Sequence, residues 1–146
     1  MTWRLQPLDF MARLNWHNEL EGWLEQSRRM APVPFSMEQL RMLVDTDEAR
    51  VVGIFKGEHL FGCLVVRPET LPGDAGELAL YIMAMGGARL EEWSDAAEAW
   101  LDECATQMGA REIFATIRPR LESLAHGRGY MTRGLIVGRR VGELQT

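Results

Sequence analysis

A chain of 146 residues, 47% apolar and 25% charged, has the length and composition of one globular domain spanning residues 1–146. Its formal charge of −5 argues against a general nucleic-acid binder, which needs a basic face for phosphates, although Arg128, Arg133, Arg139 and Arg140 crowd one end. No apolar run approaches the roughly 18–20 residues of a membrane span, and Arg4, Asp9 and Arg13 interrupt the first apolar residues, so a cytoplasmic protein without membrane contact is expected.

Trp3, Arg4 and Leu5 open the chain as a short strand. Residues 8–30 follow a helical pattern with Trp16, Leu20, Trp23 and Leu24 on one face. Aromatic residues at that spacing predict packing in a core or against a partner. Ala31-Pro32-Val33-Pro34 ends the helix, and Ser36 with Gln39 three residues later marks the start of the next. Met37, Leu40, Leu43 and Val44 form its apolar face. A hairpin follows: residues 50–55, a turn at Lys56-Gly57-Glu58, and a returning strand over 59–67 that Pro68 is expected to end. After a loop over 71–76, residues 77–85 are apolar on both sides, as in a central strand.

Gly86-Gly87 leads into the longest helix, whose stripe runs Leu90, Trp93, Ala97, Trp100, Leu101, Cys104 and Met108. Gly109 stands where a left-handed cap is expected, and residues 111–117 are rich in β-formers. Pro119 opens a short helix that Gly127 and Gly129 close, and residues 130–141 predict a final strand. Cys63 and Cys104 sit among apolar neighbours, as buried small hydrophobes do, and His17, His59 and His126 lack ligand spacing, so no metal site is expected.

Strand, helix, helix, three strands, long helix, strand, helix, strand resembles the GNAT (Gcn5-related N-acetyltransferase) fold. The resemblance covers nearly the whole chain in element order, and residue by residue it is confined to the second half. Ala105, Gly109 and Ile113 are similar to the family's helix end, and Leu124 with Gly129-Tyr130 to its later leucine and Gly-Phe pair. It implies a mixed α+β layered domain, a central sheet of about six strands flanked by about four helices. It also implies an acetyl-CoA loop at the start of the long helix, where glycines admit a pyrophosphate to backbone N–H groups.

Departures from the family pattern shape the functional expectation. The loop's first arginine falls on Arg89, but its two small positions fall on Glu92 and Ser94, with Glu91 between. Two carboxylates there suit a helix dipole and repel a dianion. Met83, Met85, Gly86, Gly87 and Arg89 are the cofactor contacts if acyl-CoA binds. The family's acid tyrosine falls on Ala125, its asparagine on Arg118, and neighbouring His126 is the substitute proton donor. Glu77 and Tyr81 are the candidate bases, with an exposed edge charge as the plain alternative for Glu77.

The expectation is a GNAT-like domain with a degenerate active site, no cofactor and no acetyltransferase activity. It would serve as a protein-interaction or structural component, through a protein partner or self-association, and resembles acetyltransferase-like phage proteins, some of them virion-associated. The alternative is an active acetyl-CoA-dependent N-acyltransferase acting on an amine.

Overall fold

Alternation along the strands decides how the layers form. The computed structural model describes residues 2–31, 35–70, 77–115 and 127. Its elements are β1 (Trp3–Pro7), α1 (Phe10–Asn15), α2 (His17–Met30), α3 (Met37–Asp45), β2 (Arg50–Lys56), β3 (His59–Thr70), β4 (Leu78–Gly87), α4 (Leu90–Met108) and β5 (Glu112–Ala115). The strands make one sheet in the order β1-β2-β3-β4-β5, antiparallel throughout except for the parallel β4–β5 pair.

Because successive side chains point to opposite faces, the central strands feed two cores. Val51, Phe55, Cys63 and Val65 pack with Leu20, Leu24, Leu40 and Val44 of α2 and α3. Val52, Ile54, Leu64, Val66, Leu80 and Ile82 pack instead with Trp93, Ala97 and Leu101 of α4. The fold is therefore a mixed α+β layered domain, with helices on both faces of a five-stranded sheet and four helices among the described residues. The short helix expected after Pro119 and the strand expected over 130–141 lie outside the described residues.

Local signals place most boundaries. The Ser36 hydroxyl accepts from the Gln39 N–H at 3.3 Å and caps α3. Gly57, at φ 64°, makes the β2–β3 turn, and Gly109, at φ 74°, closes α4 in the left-handed region.

Three expectations are corrected. The helix expected over 8–30 is two helices, broken at Trp16 (φ −105°, ψ 21°), whose ring turns onto Phe55 at 6.2 Å. Leu8 precedes them and donates its N–H to the Val51 carbonyl, so Asp9 becomes the cap and accepts from Ala12. Pro68 does not end β3, which continues to Thr70 and pairs Pro68 with Leu80. The β2 ladder stops at the Arg50–Val66 pair, so the proline lies in an overhang where one missing N–H leaves no partner unsatisfied. Finally, Gly86 and Gly87 are the last two residues of β4, paired with Cys63 and Gly62.

Candidate functional site

Where β4 hands over to α4, only Ala88 and Arg89 connect the two elements. Both polar backbone groups of Ala88 are engaged. Its N–H donates to the Phe61 carbonyl, and its carbonyl accepts from the Trp93 indole N–H, each at 2.8 Å. To enter the helix at once, Arg89 adopts the left-handed conformation, φ 61° and ψ 38°, which a non-glycine residue holds only when its surroundings impose it. Its guanidinium lies 4.9 Å from the Phe61 ring centroid and 3.7 Å from a Glu92 carboxylate oxygen. Glu91 and Glu92 occupy the first turn of α4, where the helix dipole favours them.

Protein fills the space beside both glycines. A Cβ on Gly86 would lie 2.8 Å from Trp23 Cβ and 3.0 Å from the Trp23 carbonyl oxygen. A Cβ on Gly87 would lie 2.4 Å from both Gly62 Cα and the Phe61 carbonyl oxygen. These glycines admit α2 and β3 to close range. Met85 donates its backbone N–H to Ser27 Oγ of α2 at 3.4 Å, so this β4 donor is also taken. Met83 is the extra residue of a β-bulge, where pairing jumps from Val65–Ala84 to Val66–Ile82, and it packs against the α2–α3 core.

Met83, Met85, Gly86, Gly87 and Arg89 thus share one end of β4. Glu77 lies at the other end, roughly 30 Å from Gly86 along the strand at about 3.3 Å per residue. The Glu77 carboxylate accepts from Arg111 Nη1 at 2.7 Å. Tyr81 stands between the two ends and stacks on Phe114, centroids 4.6 Å apart and planes 13° from parallel. Glu77 and Tyr81 are about 13 Å apart along β4, too far to act on one proton. His126 lies outside the described residues. Trp23, Ser27, Phe61 and Trp93, which the sequence reading did not associate with this end of β4, all contact it; Trp23, Ser27 and Phe61 do so across tertiary interfaces that sequence spacing does not reveal.

Among the described residues no group of three His, Cys, Asp or Glu side chains is placed to hold a metal ion. Both cysteines are free thiols; Cys63 is buried in the α2–α3 core as expected, whereas Cys104 is only partly buried, packed against the α4 core. Burial pushes the Cys63 thiol up from its ordinary 9.0 to about 12, against a smaller pull from the Gly86 backbone. A raised native value keeps the thiol neutral while the unfolded chain ionises. Its stabilising contribution is complete below pH 9 and falls away as pH rises to about 12. Stability should therefore drop between pH 8.5 and 11, by roughly 2–4 kcal/mol more in the wild type than in Cys63→Ala. Urea denaturation at both values checks this, and equal losses in both proteins would contradict it.

With this geometry established, solved structures give the comparison. A GNAT family acetyltransferase from Staphylococcus aureus matches with a TM-score of 0.71 and 11% identity, over 97% of this chain and 100% of that one. An aminoglycoside N-acetyltransferase in complex with CoA matches with a TM-score of 0.71 and 11% identity, over 97% and 95% of the two chains. A transcriptional regulator from Bacillus halodurans gives 0.71 and 15%, over 95% and 99%. No protein-family model and no curated protein sequence matches the chain. The fold is that of the GNAT acetyltransferases. At these identities the likeness fixes architecture and leaves the chemistry to the site.

A CoA pyrophosphate fits the start of α4 poorly on three counts. The connection is two residues long, the glycines face protein, and the one guanidinium on that connection has the Glu92 carboxylate 3.7 Å away. Among the described residues no helix is long and apolar enough to cross a membrane.

Proposed function

We propose that this domain uses the GNAT fold as a protein-interaction scaffold and does not transfer acetyl groups. One observation carries the reading: at the end of β4, Trp23 and the Phe61-Gly62 backbone fill the space beside the glycines, Ser27 accepts the Met85 N–H, and the half-exposed Arg89 guanidinium lies against Phe61 and Glu92. A dianion brought against Glu91 and Glu92 would face repulsion of about 4 kcal/mol per close charge pair at a protein surface. Use of the same fold in a protein described as a transcriptional regulator is in keeping with a role outside acyl transfer.

The second reading, an acetyl-CoA-dependent N-acyltransferase, is favoured by the acetyltransferases among the structural neighbours, one of them holding CoA. In that reading Met83, Met85, Gly86, Gly87 and Arg89 contact the cofactor, and Tyr81 or Glu77 takes the amine proton. Calorimetric titration with acetyl-CoA at low and moderate salt separates the two. No heat at millimolar ligand is the expected result. A micromolar dissociation constant, weakened by Arg89→Ala, would establish the second reading in its place.

A further inference from the structure

We draw no further inference here: the strongest candidate, the row of Arg67, Tyr81 and Phe114 across β3, β4 and β5 with the buried Arg67 Nε lacking an acceptor, belongs through Tyr81 to the site already described, and its guanidinium already pairs with Glu69 at 3.0 Å.

Discussion

Gly87→Ala is expected to destabilise the domain by about 2–5 kcal/mol, combining backbone strain with overpacking. Gly87 has φ 132°, a region that L-residues rarely adopt. Its added Cβ would meet Gly62 Cα and the Phe61 carbonyl at 2.4 Å, both main-chain atoms of the paired strand. A flexible side chain could swing aside, but here a strand would have to move. Gly22, in the middle of α2 with open space around it, provides the contrast. Gly22→Ala should stabilise by about 0.5–1 kcal/mol through helix propensity and reduced unfolded-state entropy. Urea denaturation midpoints of the two variants decide the matter. If Gly87→Ala unfolds like the wild type, the residue is not a packing glycine, and a ligand role at this end of β4 regains its force.

Gly86 and Gly87 show where sequence reading succeeds and where it stops. Apolar periodicity locates the strands and the long helix, and Ser36, Gly57 and Gly109 mark boundaries through local chemistry, because each signal and its effect lie within a few residues. At the break Trp16 turns edge-on to Phe55, some forty residues away in sequence, a contact that helical spacing over 8–30 does not contain. Pro68 is tolerated because β2 ends first, a fact of register that no window around the proline contains. For the candidate site, Glu91 and Glu92 at the start of α4 are legible as helix-dipole charges. The contacts from Trp23 and Ser27 to β4 are not, since they depend on how α2 lies across the sheet. A Gly-Gly pair reads alike whether it faces a phosphate or a helix; the neighbours decide.

The largest loss should come from Trp93→Ala, about 3–5 kcal/mol, the range for removing a buried large aromatic side chain. Trp93 is 1% exposed and packs in the α4 core with Val52, Ile54 and Leu64. A Cβ on Gly62 would lie 3.1 Å from the Trp93 ring, so the glycine makes room for the indole under the end of the sheet. Truncation would also leave the Ala88 carbonyl without its indole donor, and that bond helps hold Arg89 left-handed. Two consequences should separate. Trp93→Phe keeps most of the packing and loses the hydrogen bond, so it should cost about 1–3 kcal/mol. Both variants should speed amide exchange at Ala88 and Glu92, whose N–H groups donate to the Phe61 and Arg89 carbonyls at the junction, because the start of α4 loses its anchor. A cost below about 1 kcal/mol for Trp93→Ala, or unchanged exchange in both variants, would mean that the start of α4 is held by something other than the Trp93–Ala88 contact. The β4–α4 junction would then be free to open, and the ground for placing the cofactor outside this fold's chemistry would go with it.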